Sequence, residues 1–171
     1  MEIGDGGAPA RLRAMPSWLI NQAALPANRL VTQGLAGVEM RRYHYSLLAA
    51  LDQSGPASQA DLSRGTTIDR SDMVATVNEL VQQGLVERAP DPTDRRRNVV
   101  SITPAGRRQL RKLDRMLGKV QDELLAPLSA EERRQLVDLL TRVVDHHAQT
   151  AERPGVRPKT PNDPDRSNVR K

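Results

Sequence analysis

A short helical pattern that begins at Ser58 and is followed at once by another constrains the fold of this chain more than any other feature. The S-x-x-D spacing from Ser58 to Asp61 is typical of a helix N-terminus, where the hydroxyl can cap a free backbone N–H. The helix extends for only about two turns before a predicted turn. We place that turn at Gly65, Thr66 and Thr67.

The second helical pattern starts at residues 69–72 and ends where Gly84 provides a typical C-terminal cap. Its apolar positions recur at helical spacing and are expected to face inwards. They are Met73, Val77, Leu80 and Val81. Two short helices joined by a tight turn predict a helix-turn-helix.

After Gly84 the periodicity changes from that of a helix to that of a strand. Residues 85–88 and 98–102 are rich in β-branched or alternating apolar residues, which predicts two strands. The polar connection at 89–97 ends in three consecutive arginines. This combination predicts a two-stranded wing with a basic tip.

Helical patterns surround this unit on both sides. One covers 16 to about 35, with a kink expected at Pro26, and another covers about 43–51, before the Ser-Gly-Pro stop. Thr103 and Pro104 are a predicted N-cap and first helical position, and Ser129 opens a capping box for the last helix. The long terminal helices carry apolar stripes that need a partner, and a second subunit is the simplest one.

Both ends of the chain have the composition of tails. Residues 1–14 are predicted to be a flexible N-terminal tail, and 151–171, rich in proline and basic residues, to be a disordered C-terminal tail. The basic tail could contact the DNA backbone, but a solvated extension is the simpler interpretation.

The charge balance favours a polyanionic partner. The chain of 171 residues has 26 Lys and Arg against 21 Asp and Glu, a formal net charge of +5. With no Phe, one Trp and two Tyr, it lacks aromatic side chains for stacking on unpaired bases. Duplex DNA is therefore favoured over single strands or RNA.

Several classes of protein are disfavoured by what the sequence lacks. Zero cysteines remove disulfides, thiolate zinc sites and thiol chemistry, which fits a reducing compartment. No stretch has the roughly 20 apolar residues needed to span a bilayer, and the N-terminus has no signal-peptide core. We expect a soluble cytoplasmic protein without membrane contact.

Five local strings, in their order along the chain, resemble the MarR family of bacterial regulators. The similarity covers about 16–147 and is strongest over 55–107. The strings are Gly-Pro-Ala-Ser-Gln-Ala-Asp-Leu at 55–62, Asp-Arg-Ser at 69–71, Gly-Leu-Val-Glu-Arg at 84–88, Asp-Pro-Thr-Asp-Arg-Arg at 91–96 and Ile-Thr-Pro-Ala-Gly at 102–106. Any one of them alone is weak, whereas the combination is specific.

This resemblance implies a mainly α fold with a small β wing. It implies a MarR-like domain over 15–150, with a winged helix-turn-helix at about 55–103 and dimerisation helices at about 16–36 and 104–150. Family members are typically homodimeric repressors of palindromic operators in double-stranded DNA and are released by a small ligand.

The resemblance also implies a set of DNA-binding residues. The recognition helix would be 69–83, with its first residues nearest the major groove, and residues at the start of the preceding helix would anchor on phosphates. The helix residues are Arg70, Ser71 and Asp72, and the anchoring residues are Ser58 and Gln59.

In the wing, the family pattern Asp-x-Arg is matched by Asp94 and Arg96. Arg96 would enter the minor groove, held in place by Asp94, because a guanidinium is always charged and only weakly hydrated. Arg95 and Arg97 would contact phosphates. The alternative is that this run of arginines is simply a solvated charged loop.

The recognition helix departs from the family pattern in its middle. Many relatives have a Thr-Arg pair there, whereas this chain has Val74 and Ala75, and Asp72 replaces the family's threonine. With fewer polar groups available, Thr76, Asn78, Arg70 and the wing are expected to make more of the base contacts.

A small aromatic or anionic effector is a further expected partner, because family ligands lie between the dimerisation helices and the DNA-binding lobe. An aromatic wall with basic groups would suit an aromatic carboxylate. The candidates are Trp18, Asn21, Arg41, Arg42, Tyr43 and His44. The alternative is that Trp18 belongs to core or dimer packing and that Tyr43 and His44 form a partly buried helix face.

No cofactor, metal or catalytic site is predicted. His146 and His147 point about 100° apart on a helix and do not form a single-face pair, although an intersubunit site using one histidine stays open. The sequence has no Cys, no Gly-rich phosphate loop, no G-x-S-x-G and no H-E-x-x-H.

Two candidate functions are consistent with these sequence features. The first is sequence-specific regulation of transcription, with no enzymatic activity. The second is a winged-helix module that binds DNA without sequence preference, or binds another protein.

Overall fold

The computed structural model of the chain describes residues 7–66, 68–91 and 98–151, with side chains up to residue 149. The elements are α1 (Ala10–Arg13), α2 (Pro16–Ala36), α3 (Arg42–Ser54), β1 (Ala57–Ser58), α4 (Gln59–Thr66), α5 (Arg70–Gln82), β2 (Val86–Pro90), β3 (Asn98–Ile102), α6 (Pro104–Leu124) and α7 (Ala130–Ala151). Residues before 127 and residues from 127 onwards form two separate units. None of the helices within these ranges is long and apolar enough to cross a membrane. The predicted mainly helical fold with a small sheet is confirmed.

The start of α4 has the predicted cap. The hydroxyl oxygen of Ser58 accepts from the backbone N–H of Asp61 at 3.3 Å and donates to Oδ2 of Asp61 at 2.6 Å. The predicted turn at Gly65 and Thr66 is wrong, because α4 continues through both residues. The Thr66 hydroxyl instead donates to the carbonyl of Leu62, one helical turn earlier, at 2.6 Å.

The end of α5 is closed by a Schellman motif at Gly84, as predicted. Gly84 has a φ of 67°, and its N–H donates to the Val81 carbonyl at 2.9 Å while the N–H of Leu85 donates to Leu80 at 2.9 Å. The expectation that Val81 faces inwards is wrong, since its side chain is 36% exposed. Successive residues turn by about 100°, which moves Val81 off the face defined by Val77 and Leu80.

The wing belongs to a three-stranded antiparallel sheet rather than the two-stranded one predicted. Its strand order is β1, β3, β2, and the pairing of β2 with β3 runs from Val86 opposite Ile102 to Pro90 opposite Asn98. The additional strand, β1, has two residues, too few for a period-2 pattern to identify it in the sequence. It attaches the start of α4 to the wing.

Thr103 joins the end of α5 to the start of α6. Its hydroxyl accepts from the Gly106 N–H at 3.0 Å and lies 2.8 Å from the Gly84 carbonyl, to which it donates. A Cβ on Gly106 would lie 2.1 Å from the carbonyl oxygen of Leu85. The backbone of α6 at Gly106 therefore lies so close to the backbone of Leu85, just before β2, that only glycine fits at this position.

The core lies between α3, α5, α6 and the sheet. Three leucines of α3, Leu47, Leu48 and Leu51, are fully buried in one cluster with residues of the other elements. The other fully buried members are Leu35, Met73, Val77, Leu80, Val100 and Leu113. Two polar contacts also connect α3 to α6, because Tyr45 donates to Asp114 at 3.0 Å and Arg107 pairs with Asp52.

The long helix α2 packs along α6. It continues through Pro26 and includes Gly34, where an added Cβ would lie 2.7 Å from Cγ2 of Val120. Glycine at this position therefore allows the two helices to lie close together.

Helix α7 forms the second unit and starts with the predicted capping box. The backbone N–H of Ser129 donates to Oε2 of Glu132 at 2.8 Å, and the Glu132 N–H donates to the Ser129 hydroxyl at 3.3 Å. These bonds hold the pKa of Glu132 below its ordinary value. Apolar side chains of α7 are exposed in the described residues, namely Val137, Leu139, Leu140, Val143 and Val144.

Part of the predicted N-terminal tail is helical. Residues 10–13 of the predicted tail 1–14 form α1, in which the Ala14 N–H donates to the Ala10 carbonyl at 3.0 Å. Proline at position 9 begins this turn, as is common at a helix start. Residues 1–6 and the predicted C-terminal tail beyond 151 lie outside the described residues.

Candidate nucleic-acid interface

Helix α5 presents one exposed row of side chains opposite its buried face. Met73, Val77 and Leu80 face the core, so residues about half a turn away from them face solvent. That row consists of Ser71, Ala75, Asn78 and Gln82, all exposed. A second helix of a helix-turn-helix places such a row in the major groove.

The first turn of α5 carries the predicted Arg70, Ser71 and Asp72, and all three are exposed. Asp72 lies two helical turns before Glu79, on the side of α5 that Arg41 contacts. Ser71 belongs to the exposed row. The three side chains thus lie at the same end of α5, but they point in different directions, about 100° apart from one residue to the next.

Two predicted DNA-binding side chains are turned into the protein. Thr76 is only 4% exposed, since it lies between Met73 and Leu80 on the buried face. Ser58 is 8% exposed, and its hydroxyl is used in the cap of α4. We therefore correct the prediction for both side chains. Gln59, the first residue of α4, is half-buried.

Asn78 is linked to the wing. Its Oδ1 accepts a hydrogen bond from Nη2 of Arg88, on β2, at 2.7 Å. This bond connects the exposed row of α5 to the first wing strand. Arg88 was not among the predicted site residues. Its position on a strand, four residues after Gly84 at the end of α5, nevertheless indicates that it lies near α5.

The predicted wing-tip residues Asp94, Arg95, Arg96 and Arg97 lie outside the described residues. The strands that lead to them are described, and they end in the pair formed by Pro90 and Asn98. Their roles stay predictions.

A cavity of about 440 Å³ lies between α2 and the start of α3. Asn28, Val31, Thr32 and Leu35 of α2 line one side, and Met40, Arg41 and Arg42 line the other. Of the five ligand-binding residues predicted in addition to Arg41, Arg42 is in this lining, where its Nη1 donates to Asn28 at 3.3 Å.

The remaining ligand candidates do not line this cavity. Trp18 is half-buried and Asn21 is exposed, both near the start of α2. Tyr43 is half-buried, with the Arg42 guanidinium 5.5 Å from the centre of its ring.

His44 is a structural residue rather than an exposed ligand contact, which corrects the prediction. It is 2% exposed. Its Nδ1 accepts from the Arg41 backbone N–H at 3.1 Å, and its Nε2 lies 2.7 Å from Oε2 of Glu79. This is the bonding pattern of the neutral tautomer with the proton on Nε2.

Glu79 of α5 is shared by two groups at the start of α3. The Arg41 guanidinium donates to Oε2 of Glu79, the oxygen that also faces His44. The hydrogen bond from Arg41, and then that from His44, lower the pKa of Glu79, and the same contact with Glu79 raises the pKa of Arg41. Arg41, a residue of the cavity wall, is therefore ion-paired to α5. No pattern in the sequence indicates this role for Glu79, since glutamates are common in helices.

Comparison with known proteins identifies the chain. Residues 36–97 match the sequence profile of the MarR family. A transcriptional regulatory protein assigned to the hcr operon of Thauera aromatica is 33% identical over 62% of this chain and 64% of its own length. The crystal structure of a probable transcriptional regulator from Pseudomonas aeruginosa is 32% identical, with a TM-score of 0.69 over 78% of this chain and 99% of that one. This chain belongs to the MarR family.

Another MarR-like structure is that of the PcaV transcriptional regulator from Streptomyces coelicolor in complex with its natural ligand. It is 28% identical, with a TM-score of 0.67 over 81% of this chain and 98% of that one. These relatives are regulators of transcription and not enzymes. The predicted MarR membership and the predicted non-enzymatic class are thereby confirmed.

Proposed function

We propose that this MarR-family protein binds a specific palindromic sequence of double-stranded DNA as a homodimer and represses transcription until a small ligand releases it. The observation that carries the proposal is the exposed row of α5, from Ser71 to Gln82, which the Arg88 side chain connects to a wing strand. A helix and an adjacent wing are the two elements that a winged helix-turn-helix uses on duplex DNA.

The contacts we propose for α4 and α5 follow from exposure. Arg70 and Ser71 would contact bases and phosphates from the first turn of α5, and Asn78 would contact bases further along. Gln59, at the start of α4, would anchor on the phosphate backbone. Asp72 would act chiefly on Arg41, since a carboxylate near phosphates is repelled.

The wing would supply the minor-groove contact. In this proposal Arg96 inserts into the groove, Asp94 holds its side chain, and Arg95 and Arg97 contact phosphates. The net charge of +5 supports this arrangement because it favours the approach to a polyanion.

Exposed apolar side chains support a homodimer. On α7, Val137, Leu139 and Val144 are 55–64% exposed, and on α2 Leu19, Ile20 and Leu25 are 46–64% exposed. Apolar groups repeated along two helices are unusual on the surface of a monomer. A second copy of the chain offers the same surface and can cover it symmetrically.

The cavity between α2 and α3 supports a small anionic ligand. Its volume of about 440 Å³ lies within the usual range for small-molecule sites, and its lining combines apolar side chains with two guanidinium groups. An aromatic carboxylate that takes Arg41 would compete with Glu79 for the guanidinium. Loss of that ion pair would remove a contact that supports α5, which is the proposed route from ligand to DNA.

A gel-shift titration tests the central proposal. The purified protein is titrated onto the DNA that flanks its own gene, with excess random duplex at near-physiological salt. A discrete complex that survives the competitor supports sequence-specific binding, since nonspecific binding is almost wholly an effect of counterion release. If the competitor removes all binding and random-library selection also yields no preferred sequence, the second function, a nonspecific or protein-binding module, replaces the proposal.

A further inference from the structure

An apolar patch lies at the middle of the exposed row of α5 and extends to its edge, where Val74 is adjacent to the row. Val74 is 42% exposed, and its neighbour Ala75 is exposed as well. The residues around them on this face, Ser71 before and Asn78 after, are polar. The middle of the recognition helix therefore offers methyl groups where polar side chains would otherwise lie.

The major groove contains one kind of apolar group that matches such a patch. Each thymine carries a 5-methyl group at the groove edge, and apolar side chains recognise thymine through it. The other base edges in the groove are hydrogen-bond donors and acceptors, and placing Val74 against them would bury polar groups without partners. The patch therefore favours thymine over the other bases.

The hydrogen bond between Arg88 and Asn78 limits what Asn78 can read. Oδ1 already accepts from Arg88 at 2.7 Å, which turns this oxygen towards β2 and leaves Nδ2 on the other side of the amide. A bidentate contact with adenine needs Oδ1 as an acceptor as well as Nδ2 as a donor. Asn78 is therefore suited to donate to an acceptor, such as O4 of thymine or N7 of a purine.

We infer that Val74 and Ala75 read thymine methyl groups, so that the part of the operator half-site under the middle of α5 contains T·A pairs. The inference rests on the proposed function and adds the base class that this helix recognises. A T·A pair offers both a methyl group and the acceptors O4 and N7, which fit the apolar patch and the donor Nδ2 of Asn78 together.

Deoxyuridine gives a direct test, because it lacks only the 5-methyl group of thymine. The operator is first selected from a random duplex library with the wild-type protein. Each thymine of a half-site is then replaced by deoxyuridine, and Kd is measured by fluorescence anisotropy. We expect at least one replacement to weaken binding about fourfold, the effect of removing one methyl group from an apolar contact.

The double variant Val74→Ser/Ala75→Ser should bind thymine and deoxyuridine operators with the same Kd. Val81→Ser is the matched control, since Val81 is an exposed valine near the other end of α5, and it should keep the fourfold difference. Circular dichroism checks that both variants are folded. Minor-groove contacts of the wing are unaffected by the replacement, because the methyl group lies in the major groove.

Three results would overturn the inference while leaving the proposed function intact. They are a selected half-site without T·A pairs, a wild-type protein indifferent to every deoxyuridine, and a deoxyuridine effect that persists in the double variant. Failure to select any sequence would instead overturn the proposed function, and this inference with it.

Discussion

Nε2 of His44 lies 2.7 Å from Oε2 of Glu79, so that a buried residue in the first turn of α3 is bonded to α5. The other ring nitrogen accepts from the backbone N–H of Arg41. One imidazole therefore fixes the start of α3 and its distance from α5 at the same time.

Replacing this imidazole should be costly. In His44→Ala, the N–H of Arg41 loses its acceptor, Glu79 loses a donor, and the space of a buried ring is left empty. We expect these losses to cost roughly 1 to 3 kcal/mol. Urea unfolding measures the free energy of unfolding. The control His147→Ala, at an exposed histidine of α7, should change it by less than about 0.5 kcal/mol. Equal effects of the two variants would contradict the structural role of His44.

Glu79 makes stability depend on pH in a defined direction. The pKa of Glu79 is lowered from its ordinary value of 4.5, chiefly by the hydrogen bond from Arg41. A carboxyl with a lowered pKa stabilises the folded state above its ordinary pKa, and this contribution is lost as the pH falls through the lowered value. The free energy of unfolding of wild type should therefore exceed that of Glu79→Gln by more at pH 7 than at pH 3. A difference independent of pH would refute the ion pair.

Gly106 is the glycine at which a side chain should be least tolerated. Gly106→Ala would place a Cβ 2.1 Å from the Leu85 carbonyl oxygen, and such overpacking costs about 1 to 3 kcal/mol. Gly118→Ala, in the same helix, has nothing within 4 Å of the new Cβ and should stabilise the protein by up to about 1 kcal/mol. The change in Tm of both variants, measured by thermal unfolding, tests this prediction. A higher Tm for Gly106→Ala would disprove the close approach of α6 to Leu85.

Arg96 is the proposed minor-groove residue. Arg96→Ala should weaken binding to the selected operator roughly tenfold or more, while binding to random duplex falls much less. Arg115→Ala removes the same charge from an exposed position of α6 and should leave the operator Kd nearly unchanged. Anisotropy titrations measure both. The wing assignment fails if the two variants behave alike.

The apolar residues of α7 should be necessary for the dimer. Leu136, which is half-buried, and the exposed Leu140 lie one helical turn apart on α7. Replacing both by Glu puts charges into the proposed interface and should yield a monomer or an unfolded chain. Gln135→Glu/Gln149→Glu places the same two residues on other faces of α7 and should stay dimeric. Light scattering gives the mass, and a folded dimer of the leucine variant would exclude this interface.

The sequence predicted well what is decided locally. Caps at Ser58, Thr103, Ser129 and Gly84 depend on neighbouring residues, and the structure has all four. Apolar periodicity placed the helices around these caps with small errors at their ends. The same local reasoning failed at Thr66, whose hydroxyl bonds back into the helix.

Features that depend on residues far away in the sequence could not be predicted from local patterns. The polarity of Thr76 predicts a DNA contact, but the packing of α5 buries its side chain. A ring beside basic groups predicts that His44 contacts an anionic ligand, but its actual partner is Glu79, 35 positions away, which no local pattern indicates. Strand β1 exists only because β3 pairs with it, and its two residues have no pattern of their own.

The junction at Thr103 has a mechanical consequence. A single hydroxyl bonds both to the Gly84 carbonyl, just after α5, and to the Gly106 N–H at the start of α6, and at Gly106 there is no room for α6 to slide against Leu85. We therefore expect a rotation of α6 to move the end of α5 with it. In a regulator of transcription, a stiff junction of this kind would allow even a small displacement of α6 to change the position of α5, the helix proposed to contact DNA.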